Sequence, residues 1–244
     1  MRKFGLIGKA LKHSFSKRYF NDKFRKEVID ATYELFELGT ISELEDLVAQ
    51  EPFLEGLNIT IPYKEGVLPF LDWMSEEART IGAVNVIKII RKKGKIWLKG
   101  FNTDAPAFLE SLRRLRLGNR ALILGTGGAA KAVAFAFCSL GIPYLFVSRT
   151  PERREIGYDD LDEKTIKTHQ IIVNATPLGM FPDTKSFPRI PYHFLTSKHL
   201  LYDLVYNPKE TEFLRRGREM EARTTNGLAM LEMQAEYSWR IWNK

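Results

Sequence analysis

The residue types best suited to chemistry lie in Asn58-Ile59-Thr60-Ile61-Pro62-Tyr63-Lys64. Period-two alternation puts Asn58 and Thr60 on one face of an extended segment, with Ile59 and Ile61 on the other. Pro62 cannot donate to a ladder, so the strand is expected to end there, with Lys64 emerging just beyond. Two short polar groups and an amine at such an end suit a small polar ligand, because open α/β sheets bind ligands at the carboxyl ends of their strands. A polar-faced strand followed by a solvated lysine has the same pattern.

A second chemical signal is Gly125-Thr126-Gly127-Gly128. It follows the apolar run Ala121-Leu122-Ile123-Leu124 and precedes the strong helix former Ala129 to Phe137, with Ala130 at the third small position. Glycines there permit a tight turn and let backbone approach a pyrophosphate, which the helix N-terminus then stabilises. The next strand, Tyr144 to Val147, leads into Ser148-Arg149-Thr150 and then Arg153-Arg154. A carboxylate about 20 residues beyond the glycines would hold a ribose hydroxyl; arginine instead clamps a 2′-phosphate. NADP rather than NAD is therefore the expected cofactor. An arginine merely exposed in a loop is the plainer reading.

These motifs need a scaffold of alternating strands and helices. Phe4 to Ile7 reads as a strand and Lys17 to Ile29 as a helix. Thr40-Ile41-Ser42-Glu43 has the spacing of a capping box opening a helix towards Gln50. Gly56 to Ile61 reads as a strand, and Val84 to Ile90 with Lys95 to Leu98 as a hairpin around Lys92-Lys93-Gly94. Ile171 to Val173 and Leu200 to Tyr202 are further strands, and the segment after Asn226 looks helical. The alternation predicts an α/β protein with parallel sheet covered on both faces.

The bulk numbers narrow the classes. The chain has 244 residues, 44% hydrophobic and 27% charged. No stretch approaches the roughly 20 apolar residues of a membrane span, and the apolar run at the start is too short for a signal peptide, so a soluble cytoplasmic protein is expected. The net charge of +7 admits nucleic acid, but the basic residues are scattered, so no nucleic-acid partner is expected. His13, His169, His193 and His199 lack metal-ligand spacing, and no metal is expected. The single cysteine, Cys138, sits among Phe135, Phe137 and Leu140, which suggests a buried thiol.

The chain also carries Ser14-Phe15-Ser16, Gly82-Ala83-Val84-Asn85, Gly100-Phe101-Asn102-Thr103-Asp104, Asn174-Ala175-Thr176-Pro177-Leu178-Gly179, and Asn226-Gly227-Leu228 through Gln234-Ala235. In this order and spacing the chain resembles the shikimate dehydrogenase family nearly end to end. The resemblance implies two α/β lobes: a substrate-binding domain of residues 1–103 plus 226–244, and a Rossmann-type NADP-binding domain of 104–225. It implies NADPH-dependent reduction of 3-dehydroshikimate to shikimate, in aromatic amino acid and chorismate biosynthesis, by a monomer or homodimer.

Carried over by position, the resemblance assigns Ser14 and Ser16 to a substrate carboxylate. It assigns Asn58, Thr60, Asn85, Asp104 and Gln234 to ring hydroxyls, Lys64 and Asp104 to catalysis, and Tyr206 to the substrate-site wall. Gly125, Thr126, Gly127, Gly128 and Ala129, with Ser148, Arg149, Thr150 and Arg153, match the cofactor loops. Thr176 joins them, Leu204 and Gly227 fall beside the nicotinamide, and Glu76 falls where some members place an acid near the cofactor. Thr126 stands where alanine is common, and Ser148 replaces a frequent asparagine. Asp104 before Ala105-Pro106 also fits a plain helix N-cap. A quinate/shikimate dehydrogenase of the same family, or a ligand-sensing module without catalysis, would carry much of the same pattern.

Overall fold

The computed structural model describes residues 1–11 and 14–244, so His13 lies outside the described residues. The chain divides into two compact units, Met1–Thr103 with Gln234–Lys244 and Asp104–Met233. The second boundary falls inside the last helix rather than at a loop.

The first unit is built on β1 (Arg2–Gly8), α1 (Phe15–Lys26), β2 (Ala31–Glu37), α2 (Leu44–Gln50), β3 (Leu54–Ile59), the single turn α3 (Tyr63–Gly66), β4 (Trp73–Met74), α4 (Glu76–Ile81), β5 (Val86–Lys92) and β6 (Lys95–Phe101). Its sheet has the order β2-β1-β3-β5-β6-β4. β1 runs parallel to both β2 and β3, whereas β5 is antiparallel to β3 and to β6. The sheet is thus mixed rather than parallel throughout, because the Lys93-Gly94 turn, with both residues at positive φ, folds β5 directly back into β6.

Both faces of this sheet are covered. Ile7, Leu54, Leu57 and Ile59 pack with Leu44 and Val48 of α2 on one face. Phe4, Leu6, Tyr33 and Val86 pack with Phe20 and Phe24 of α1 and with Trp242 on the other. The Thr40 capping box forms: Thr40 Oγ1 accepts from the Ser42 amide at 3.1 Å, and Glu43 Oε1 accepts from the Thr40 amide at 2.8 Å. It opens a 3₁₀ turn over Ile41–Glu43, which runs on into α2.

The second unit contains α5 (Asp104–Leu112), β7 (Ala121–Leu124), α6 (Gly128–Ser139), β8 (Tyr144–Ser148), β9 (Glu155–Gly157), α7 (Glu163–Thr168), β10 (Ile171–Asn174), β11 (Leu200–Asp203), α8 (Glu212–Glu219) and β12 (Arg223–Asn226). Its six strands are parallel in the order β12-β11-β10-β7-β8-β9. Numbered along the unit, that order is 3-2-1-4-5-6 read from β9, the doubly wound dinucleotide-binding arrangement. The order reverses between β7 and β10, and a ligand crevice is expected at their carboxyl ends. Each of β7, β10 and β11 is buried along its whole length, which accounts for their apolar runs, with Asn174 and Asp203 the polar ends of β10 and β11.

α9 (Leu228–Trp242) closes the chain. No helix among the described residues is long and apolar enough to cross a membrane. Cys138 departs from expectation. It is exposed, because the last turn of α6 emerges into solvent with Ser139 and Leu140 also exposed.

Candidate active site

In the first unit, strand direction collects the polar motifs. β1, β3 and β6 end, and antiparallel β5 begins, at the same edge of the sheet. Ser14 follows β1 and stands before the first turn of α1, and Ser16 lies buried inside that turn. Asn58 and Thr60 sit at the end of β3, Asn85 just before β5, and Asn102 and Thr103 just after β6. The backbone joins these ends: Thr60 N donates to Ile7 O at 3.0 Å, Ile59 N to Asn85 O at 2.8 Å, and Asn85 N to Phe101 O at 3.1 Å.

β3 stops at Ile59, two residues earlier than alternation suggests. Ile59 joins the core, but Ile61, expected on the same face, is 59% exposed because it lies beyond the pleat. Lys64 follows in α3, half-buried, where its carbonyl accepts from the Val84 amide at 2.8 Å. That bond ties the lysine turn to Gly82-Ala83-Val84-Asn85, whose Gly82 closes α4 in the left-handed conformation at φ 70°.

The polar side chains at this edge form one buried network. The Tyr33 hydroxyl donates to Asn58 Oδ1 at 2.8 Å, and Asn58 Nδ2 donates to Ser238 Oγ at 2.9 Å. Asn85 Nδ2 donates to Thr103 Oγ1 at 2.9 Å, while Asn85 Oδ1 accepts from the Thr103 amide at 2.7 Å. Gln234 is buried in α9, and its carbonyl accepts from the Ser238 hydroxyl at 2.8 Å. Ser14, Ser16, Asn58, Thr60, Lys64, Asn85 and Gln234 thus all belong to the first unit.

Asp104 and Tyr206 belong to the second unit. Asp104 is buried in the first turn of α5. Tyr206 is half-buried in the segment after β11.

The remaining positions expected at a cofactor cluster at the carboxyl ends of the second sheet. Gly125 N donates to Val147 O at 2.9 Å, bringing the glycine turn beside the end of β8. Gly125 has φ 100°, which strains any side chain there, and a Cβ would also lie 3.0 Å from Thr176 Cγ2 and crowd it. Gly127 caps α6 and faces open space, so backbone there is accessible to a ligand. Gly128 and Ala129 begin the helix, with Thr126 before them. Arg149, Thr150 and Arg153 are exposed after β8, and the Ser148 hydroxyl accepts from the Thr150 amide at 3.3 Å.

On the far side of β7, Asn174 Oδ1 accepts from both the amide and the hydroxyl of Thr176. Leu204 N donates to Asn174 O at 2.9 Å. Gly227 packs so closely that a Cβ would sit 2.3 Å from Leu204 O. This backbone geometry fits a dinucleotide: a glycine turn, an accessible helix N-terminus and no carboxylate at the end of β8. Glu76 opens α4 in the first unit.

Sequence reasoning passed over several residues of these networks. Tyr33 has no motif around it, and its role appears only when β2 packs beside β1. Ser238 was open to inference, since it lies four residues after Gln234 and so shares its helical face. Asp203, buried at the end of β11, accepts from Asn174 Nδ2 at 2.9 Å, from Val205 N at 3.0 Å and from the Thr211 hydroxyl.

A mixed substrate-type α/β unit joined to a doubly wound dinucleotide-type unit defines a two-domain nicotinamide-dependent dehydrogenase. Residues 6–87 match the model of the shikimate dehydrogenase substrate binding domain. The chain is 38% identical to the shikimate dehydrogenase (NADP(+)) of Carboxydothermus hydrogenoformans, over 98% of this chain and 90% of the relative. It is also 38% identical to that of Syntrophomonas wolfei, over 97% and 88%. Among solved structures, shikimate dehydrogenase 1 from Peptoclostridium difficile superposes with a TM-score of 0.86 at 37% identity, covering 100% of this chain and 92% of that one. Shikimate 5-dehydrogenase from Thermus thermophilus, solved with NADP(H) and shikimate, gives 0.85 at 32% identity, covering 99% and 93%. The chain belongs to the shikimate dehydrogenase family.

Proposed function

We propose that this chain catalyses the NADPH-dependent reduction of 3-dehydroshikimate to shikimate, within chorismate and aromatic amino acid biosynthesis. The observation that carries the reading is the pair of sheet edges. One gathers Ser14, Ser16, Asn58, Thr60, Lys64 and Asn85; the other carries the Gly125–Gly128 turn with Arg149 where an NAD enzyme places an acid. NADP, when bound along that second edge, supplies or accepts the hydride at its nicotinamide. Gly125 to Ala129 would receive its pyrophosphate, Ser148, Arg149, Thr150 and Arg153 its 2′-phosphate end, and Thr176, Leu204 and Gly227 the nicotinamide end.

The chain's own residues then bind, orient and manage one proton. The Ser14 and Ser16 hydroxyls hold the substrate carboxylate, and Asn58, Thr60, Asn85, Asp104 and Gln234 read the ring hydroxyls, with Tyr206 at the wall. As hydride reaches the C3 carbonyl carbon, the π pair moves to oxygen. The Lys64 ammonium stabilises that developing charge, donates its proton and is reprotonated from solvent. Lys64 and Asp104 are assigned together, in this reading, to handling that proton. This chemistry belongs in the cytoplasm, where we expect a monomer or homodimer. Initial rates at 340 nm with shikimate or quinate, and NADP or NAD, test the reading. It predicts turnover with shikimate and NADP, and preference for quinate or NAD would refute it.

A further inference from the structure

The buried network around Asn58 fixes more than the position of its side chain. Ser238 Oγ donates its one proton to Gln234 O at 2.8 Å in preference to Thr103 Oγ1 at 3.5 Å, so it accepts from Asn58. The group of Asn58 facing Ser238 must therefore be the amide nitrogen. The second Nδ2 hydrogen faces Asn85 O at 3.3 Å, and the reversed amide would set two carbonyl oxygens against each other there. Oδ1 is left facing Tyr33, whose hydroxyl, itself wholly buried, must donate to it. Two independent acceptors thus dictate one orientation of the amide.

We infer that Tyr33 and Ser238 are positioning residues of the substrate site: they lock Asn58 so that it offers a ligand one Oδ1 lone pair and no donor. The inference rests on the proposed function for the ligand's identity. An Asn58 held this way accepts from a ring hydroxyl but repels a carbonyl or carboxylate oxygen, which contributes orientation as well as affinity. Neither positioning residue needs to touch substrate. A free asparagine would read donors and acceptors alike, and the surrounding structure removes that ambiguity.

A double-mutant cycle tests this. Tyr33→Phe removes one of three anchors, so the KM for shikimate should rise about fivefold, as expected for one lost neutral hydrogen bond, with kcat changed less than twofold. In an Asn58→Ala background the same substitution should have a clearly smaller effect, because Tyr33 acts mainly through Asn58; what remains passes through Ser16, to which the Tyr33 hydroxyl is also hydrogen-bonded. Ser238→Ala should reproduce the pattern should Tyr33→Phe fold poorly. Additive effects, or a fall in kcat at constant KM, would overturn the inference. Amide-exchange NMR gives a readout that needs no turnover. Both Asn58 Nδ2 protons should exchange slowly in the wild type, and one should accelerate in Ser238→Ala; fast exchange of both in the wild type sinks the proposal. A wild-type chain inactive on shikimate would instead refute the proposed function, and the exchange rates would still decide the orientation of Asn58.

Discussion

At the scale of single residues, charge development separates catalysis from binding. The substrate carboxylate is equally anionic before and during reaction, whereas charge on the carbonyl oxygen appears only in the transition state. Lys64→Ala should therefore lower kcat by at least about a hundredfold, the lower range for a positioned proton donor, with a smaller change in KM. Ser14→Ala should raise KM while kcat changes less than threefold. Steady-state kinetics at saturating NADP check the contrast, and near-normal turnover in Lys64→Ala would reassign the lysine to binding. Asp203 makes a different residue-level prediction. Burial pushes its carboxyl from 3.8 up to about 7, against the opposing effect of its three hydrogen-bond donors. Because the folded value is raised, its contribution to stability is present below the unfolded value and lost as pH rises through about 7. Asp203→Asn can keep the bonds from Asn174 and Val205 through its own oxygen. It should flatten the decline in stability between pH 5 and pH 8, read from urea midpoints, a decline of at most about 3 kcal/mol from this group over that range. An unchanged pH profile would show that Asp203 is ionised throughout.

At the scale of elements, the C-terminal helix is keyed into the sheet whose last strand ends at Phe101, well over a hundred residues before the helix begins at Leu228. Trp242 of α9 stacks on Phe4 at 4.8 Å between ring centroids, and its indole nitrogen donates to Ile87 O at 3.0 Å. Gly56 of β3 makes room for it: a Cβ there would lie 2.2 Å from Trp242 Nε1. Gly56→Ala should displace the indole and orphan its buried donor, costing about 2–4 kcal/mol from overpacking and the lost bond together. The tryptophan emission should shift to the red, and Trp242→Leu in the same chain should recover part of the loss. Since Gln234 and Ser238 lie on this helix, the same undocking should raise the KM for shikimate.

At the scale of the whole molecule, a ligand that binds only the folded chain adds RT ln(1 + [L]/Kd) to its stability. NADP at a hundredfold excess over its dissociation constant adds about 2.7 kcal/mol, or roughly 5–10 °C in Tm for a chain of this size. Arg149→Ala should abolish most of that shift for NADP and leave any shift with NAD unchanged, measured by thermal melts at equal cofactor concentration. Equal loss for both would remove Arg149 from phosphate recognition. The sequence alone determined the α/β class, the glycine turn between an apolar strand and an alanine-rich helix, the β5–β6 hairpin, the Thr40 cap and the family, because each rests on local spacing or on motifs in order. It did not determine where β3 ends, the exposure of Cys138 or the network through Tyr33 and Ser238. Those depend on which strands become neighbours and where a helix outruns its sheet. Tyr33 meets Asn58 because β2 and β3 both flank β1, and Ser238 meets it because α9 returns to the first unit. Long-range pairing of this kind leaves no local periodicity in the chain, so only the packed structure settles which polar groups remain for a ligand.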